Sequence, residues 1–204
     1  MAFGPSAPST SLSWRAILVG LLLIPINHFW VVQLELVRYS LVSYLVPYYT
    51  VIFILLVLAS LNRLLVGSAT GLKLETTELA LIYIMLAVSG GFPTHNMLQI
   101  LVSSMGHAFW FATPENDWAN TFWSFLPSWL TVADKEILAG FYGGHSTLYQ
   151  IDQLSGWLIP ALAWIFFTLM LVICMLSINT LLRKQWSDHE RLAFPIIQLP
   201  MQII

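Results

Sequence analysis

The chain has 204 residues, of which 58% are hydrophobic and only 9% charged. Ordinary soluble domains carry roughly 25% charged residues. With eight basic and ten acidic side chains the net charge is −2. The balance excludes a soluble globular domain, a disordered chain and, lacking any basic footprint, a nucleic-acid binder. The composition is that of an all-α integral membrane protein, and the charge pattern predicts three transmembrane helices plus a broken or re-entrant helical unit.

Residues 1–13 read as a flexible N-terminus. No small-x-small cleavage pattern follows the first apolar run, so a retained first span is expected rather than a secretory signal. Between Arg15 and Glu35 lie 19 uncharged residues, and between Arg38 and Arg63 lie 24. Both gaps are close to the ~20 residues of a bilayer-crossing helix. The first gap contains Pro25-Ile26-Asn27-His28 near its middle. Pro25 frees a backbone carbonyl, and Asn27 and His28 cost free energy in lipid unless they face protein or water. They either line a pathway or bond to a neighbouring helix. Glu35 and Arg38, three apart on one helical face, read as an interfacial pair.

The gap between Glu78 and Glu115 holds 36 uncharged residues, too many for one straight span. Ser89-Gly90-Gly91-Phe92-Pro93-Thr94 interrupts it, since two glycines weaken a helix and a proline cannot continue one. The spacing predicts a helix over 76–89, a break at 89–94 and a second helix over 94–111. Irregular backbone at membrane depth survives only where protein or a wet cavity satisfies it. After the break come Thr94, His95, Asn96, Gln99, Ser103, Ser104 and His107. Positions 96, 99, 103 and 107 trace a polar stripe at helical spacing. Thr94 is positioned to cap the new helix, whose positive end then faces the break. Broken helices of this kind form anion or carboxylate sites in secondary transporters. The candidate substrate-binding residues are therefore Gly90, Gly91, Thr94, His95, Asn96, Gln99, Asn27 and His28. The alternative is a polar stripe that only packs helix against helix.

The stretch 113–152 is acidic and rich in aromatics (Trp118, Phe122, Trp123, Phe125, Trp129), and reads as a non-cytoplasmic cap at headgroup level. Gly143-Gly144-His145 within it reads as a turn. The 30 uncharged residues between Asp152 and Arg183 predict a long transmembrane helix over 153–182. A cytoplasmic connector over 183–204 follows. If the piece after the break re-enters, Arg15, Arg63, Lys73, Arg183, Lys184 and Arg191 share one face against Arg38 and Lys135. A full crossing splits the same charges evenly, so positive-inside counting favours re-entry.

Catalytic motifs are absent: no Gly-x-Ser-x-Gly, no His-Glu-x-x-His, no phosphate-binding glycine loop with lysine. The spacing of His28, His95, His107 and His145 matches no compact metal site. Cys174, the single cysteine, lies in an apolar run and forms no disulfide within one chain. No enzyme, cofactor or metal is expected.

Four stretches carry a resemblance: Leu74-Glu-Thr-Thr-Glu-Leu79 leading into the glycine break; Phe111-Ala-Thr-Pro-Glu-Asn-Asp-Trp118 with Leu126-Pro-Ser-Trp-Leu130; Gly140-Phe-Tyr-Gly143; and Arg183-Lys-Gln-Trp186 with Glu190-Arg-Leu-Ala-Phe-Pro195 and Gln198-Leu-Pro200. Together they resemble a family of large, uncharacterised prokaryotic membrane proteins, distantly similar to the oligopeptide transporter superfamily. The resemblance implies no catalytic residues. Members of that family are several times longer, so the chain reads either as an N-terminal portion or as a reduced protein inside a larger assembly. The leading expectation is transport of a small peptide-like or anionic solute across the prokaryotic cytoplasmic membrane. The alternative is a non-catalytic accessory subunit of a photosynthetic or respiratory complex. Expected partners are membrane lipid and further transmembrane helices, of the same protein or of a larger complex, with no nucleic acid.

Overall fold

Helix α1 spans Trp14–Val32 and keeps Pro25 inside it. Its buried positions Ala16, Gly20, Asn27 and Val31 recur at helical spacing. The first two are small residues four apart, the pattern that lets two apolar helices approach closely. A Cβ on Gly20 would meet Met85 Sδ at 2.7 Å, which shows how near the facing helix runs. That helix is α3 (Thr76–Ser89), which buries Glu78, Leu79, Ile82 and Leu86. A capping box of Glu75 and Glu78 starts it. The computed structural model describes residues 13–44, 46–64, 73–144, 146–190 and 195–204. The flexible N-terminus expected over 1–13 falls almost wholly outside them, as do most of the connector from Arg63 to Lys73, His145 and Arg191.

All regular structure among the described residues is helical. Three helical segments are long and apolar enough to cross a membrane: Trp14–Val37, Thr76–Trp110 and Ile151–Lys184. One sequence expectation needs correction. The uncharged run after Arg38 is not one helix from its start, because helix α2 begins only at Tyr49 and is described to Leu64. At ~1.5 Å per residue its described part is about 24 Å long. Tyr39 lies in the left-handed region (φ 53°), and Pro47 follows a short 3-10 turn at Val42–Tyr44. Proline lacks the N–H that a helix interior needs, so the helix starts beyond it. Missing charge marked an apolar segment but not a helix.

The chain divides into two units, Met1–Gln99 with Phe194–Ile204, and Ile100–Ala193. In the first, Ala16, Val51, Ile82 and Leu86 form the core between α1, α2 and α3. Helix α8 (Pro195–Ile203) packs on α2 and α3. In the second, helix α4 (Ile100–Trp110), the short helices α5 (Trp118–Thr121) and α6 (Lys135–Tyr142), and helix α7 (Ile151–Lys184) surround Met105, Phe109, Val132 and Leu138. Asp134 caps α6 by accepting from the Glu136 and Ile137 N–H groups. Trp123 and Trp164 donate their indole N–H to the carbonyls of Ala108 and Leu130, both at 3.0 Å. Tyr142 donates to the Ser103 carbonyl at 2.6 Å, and burial raises its pKa above the ordinary value. The long helix expected over 153–182 is α7, about 50 Å at ~1.5 Å per residue. It buries only Pro160 among its described residues.

Candidate functional site

The interruption after α3 lies within the first unit. Residues 90–94 form turns, and His95–Gln99 make one π-helical turn that leads into α4. Ending one helix and starting another frees carbonyl and N–H groups, each costing several kcal/mol in an apolar setting unless met. Helix α1 meets them. His28 Nε2 lies 2.9 Å from the Ser89 carbonyl at the end of α3. Seven residues on, Glu35 is 4% exposed and accepts from the His95 N–H at 2.5 Å. The same carboxylate oxygen accepts from Gln99 Nε2 at 3.2 Å, and Gln99 also donates to the Pro93 carbonyl at 2.8 Å. A carboxylate at the positive end of a new helix is the favourable pairing of charge with helix dipole.

This arrangement corrects three sequence readings. Glu35 does not pair with Arg38, which is exposed. Residues Gln33–Val37 form a π-helical turn closed by Arg38 N–H on the Gln33 carbonyl at 3.2 Å. The extra residue of a π turn rotates positions three apart off a common face. Thr94 does not cap the following helix either. It is 2% exposed and donates its hydroxyl to the Gly91 carbonyl at 2.7 Å, tightening the break, while Glu35 serves the new helix. The His95 N–H after the break is met by Glu35, while His28 serves the Ser89 carbonyl before it. Finally, positions 96, 99, 103 and 107 do not act as one stripe. Asn96 is exposed, Gln99 turns to Glu35, the Ser103 carbonyl takes Tyr142, and His107 sits 4.7 Å from the Phe111 ring and 5.9 Å from that of Trp118. The π turn at 95–99 breaks the 3.6-residue phase on which the stripe was drawn.

Of the eight candidate residues, Gly90, Gly91, Thr94, His95, Gln99, Asn27 and His28 come together around the break. The His95 side chain and Asn96 face outward. Gly90 is the tighter of the two glycines. A Cβ there would meet the Leu86 carbonyl oxygen at 2.9 Å and Asn27 Nδ2 at 3.3 Å, whereas one on Gly91 would meet only the Tyr48 hydroxyl as closely, at 3.3 Å. Asn27 is fully buried, and neither of its amide atoms finds a hydrogen-bond partner among the described residues. The Thr50 hydroxyl is buried in the same condition. Sequence reasoning missed Glu35 and Tyr48 as members. The signal for Glu35 was present: positions 16, 20, 27, 31 and 35 continue one buried stripe of α1.

A family model described as a family of unknown function, DUF6785, matches residues 6–204. The chain belongs to this family. No curated protein and no solved structure matches it. Among the described residues no group of three or more His, Cys, Asp or Glu side chains could hold a metal ion.

Proposed function

We propose that this DUF6785 chain sits in a prokaryotic cytoplasmic membrane and forms part of a transport pathway for a small peptide-like solute, centred on the glycine break. The observation that carries the reading is the Asn27 amide, fully buried beside Gly90 and with neither atom partnered among the described residues. A buried polar group left unsatisfied costs about 1–3 kcal/mol, so an amide kept there has a use. Polar side chains inside apolar helices characteristically mark solute paths, and an amide both donates to and accepts from a peptide bond.

Two solute classes were expected, and the geometry favours one. An anion would need the free N–H groups of the helix after the break, but Glu35 already accepts from His95 there and would repel it. A peptide-like solute, with N–H donors and a cationic end, suits Asn27 and Glu35 together. The distant similarity to oligopeptide transporters belongs to the same proposal, which assigns no catalytic residue and requires no cofactor. One observation favours company for this chain: α7 is apolar yet buries only Pro160. Lipid, further helices of the same protein or the subunits of a larger complex would cover it, and the last case is the accessory-subunit reading.

Proteoliposomes of the full chain, given a mixture of di- to tetrapeptides and assayed by mass spectrometry of their contents, test the proposal. Wild-type vesicles should accumulate peptides several-fold over empty vesicles, and Asn27→Leu vesicles should not. Wild-type protein that inserts fully but takes up no peptide overturns transport and leaves the accessory-subunit reading.

A further inference from the structure

The first unit contains a second polar site, away from the glycine break. At the start of α3 and the end of α2, a half-open cavity of about 720 Å³ is lined by Arg63, Lys73, Asn62, Thr76 and Thr77. Leu79, Ile203 and Ile204 form its apolar wall. A smaller cavity of about 220 Å³ shares Ala59, Arg63 and Ile203 with it and extends along Leu56 and Ser60 of α2 toward Gln202 of α8. The cation-lined chamber thus adjoins a narrower groove between α2 and α8, with Arg63 on the wall they share.

The frame around the chamber is braced. Asn62 Nδ2 donates to the Leu74 carbonyl and Asn62 Oδ1 accepts from the Leu74 N–H, both at 2.8 Å, fixing the end of α2 to the start of α3. Arg15 donates to the Lys73 carbonyl at 3.2 Å, which brings a third cation to the same end of the unit. Ser13 donates its hydroxyl to Glu78, whose other carboxylate oxygen accepts from the Glu75 N–H at 2.9 Å. Glu75, the acidic member of the lining, is held in the capping box of α3, and Arg63 and Lys73 outweigh its single charge.

We propose that this chamber binds the phosphate headgroup of an anionic phospholipid, with an acyl chain lying in the groove between α2 and α8. Arg63 and Lys73 supply charge, Thr76 and Thr77 supply hydroxyl donors, and the apolar wall favours a lipid over a free anion. Basic pockets between transmembrane helices on the cytoplasmic side are suited to such headgroups. The inference rests on the membrane placement proposed above but not on transport.

The full chain in neutral detergent is titrated with phosphatidylglycerol, with phosphatidylcholine and with inorganic phosphate, and bound lipid is read by native mass spectrometry. Wild type should hold phosphatidylglycerol in preference to phosphatidylcholine. Each basic residue facing an anionic surface is worth about fivefold in affinity, so R63A/K73A should lose roughly thirtyfold. Both side chains are exposed, so the variant should fold, and R63K/K73R should retain the preference. Arg38→Ala, which alters a cation outside the chamber, should change nothing. Equal retention of the two lipids, or an unchanged preference in R63A/K73A, overturns the proposal. Inorganic phosphate that displaces phosphatidylglycerol at equal concentration assigns the chamber to a soluble anion and overturns the lipid reading. Incorporation into neutral vesicles reports membrane placement separately.

Discussion

In the first unit, α1 and α3 approach through Ala16 and Gly20, and His28 of α1 and Glu35 of the π turn after it reach the ends of the broken chain. The second unit is held differently. There α4, α6 and α7 meet through rings and aliphatic contacts: Trp110 stacks on Tyr142 at 5.3 Å, and Phe141 approaches Trp157 at 5.2 Å. A Cβ on Gly106 would fall 2.2 Å from a Leu138 methyl, so that leucine fills the space the glycine leaves. Trp and Tyr serve the second unit as donors to single carbonyls. The contrast follows from backbone continuity. At the break of the first unit two freed backbone groups take side chains from one neighbouring segment. In the second unit rings and aliphatic contacts carry the packing, and Asp134, Trp123, Trp164 and Tyr142 each serve nearby backbone groups.

The largest effect should come from the apolar side of the comparison. Leu138 is fully buried against Gly106, and Leu138→Ala should cost about 2–5 kcal/mol by leaving a cavity. Chemical unfolding in detergent should register the loss, and hydrogen exchange should accelerate along 100–110 while 76–89 is spared. Equal acceleration in both stretches would erase the division into two kinds of lock.

On the polar side, Glu35→Ala should cost about 1–3 kcal/mol by stranding the His95 N–H, with Glu35→Gln milder because its amide oxygen still accepts. The same unfolding titration orders the two variants. Thr94→Val should cost about 0.5–1.5 kcal/mol, because it removes the bond to the Gly91 carbonyl and keeps the shape. Its effect should add to that of an unrelated change in the second unit such as Trp164→Phe, since independent sites add. Smallest is a pH effect in the second unit. A hydrogen bond from Thr113 lowers the Glu115 pKa below its ordinary 4.5. A depressed carboxyl stabilises the fold above that ordinary value, and the contribution fades as pH falls through the lower folded value. Full exposure keeps it slight, so Thr113→Val should alter the acid limb of a melting-temperature profile only below about pH 4.5.

The break was legible in the sequence because Gly90-Gly91-Phe92-Pro93 contains the residues a helix tolerates least, and α3 spans Thr76–Ser89 as the spacing predicts. The start of α2 was not, since charges locate the edge of an apolar run and Pro47 limits the helix within it. The contacts that hold the break were half legible. Asn27 and His28 stood out as polar groups in an apolar run, but Glu35 was assigned to Arg38 by counting at 3.6 residues per turn. Both failures of counting, at Glu35 and at the 96–107 stripe, fall on π-helical turns, which insert a residue that no periodicity rule anticipates.

The central claim is that Glu35, in the π turn that follows α1, holds the N–H that the broken helix leaves free. Residue-resolved hydrogen exchange at His95, measured in lipid nanodiscs for wild type and Glu35→Ala with residues 105–110 as internal reference, tests it directly. Slow exchange at His95 in the wild type, at least tenfold faster in Glu35→Ala with the reference unchanged, is the result the account requires, because loss of about 1.4 kcal/mol of protection is a factor of ten. Rapid exchange at His95 in the wild type, or a rate indifferent to Glu35, would contradict it and return the break to an open cavity.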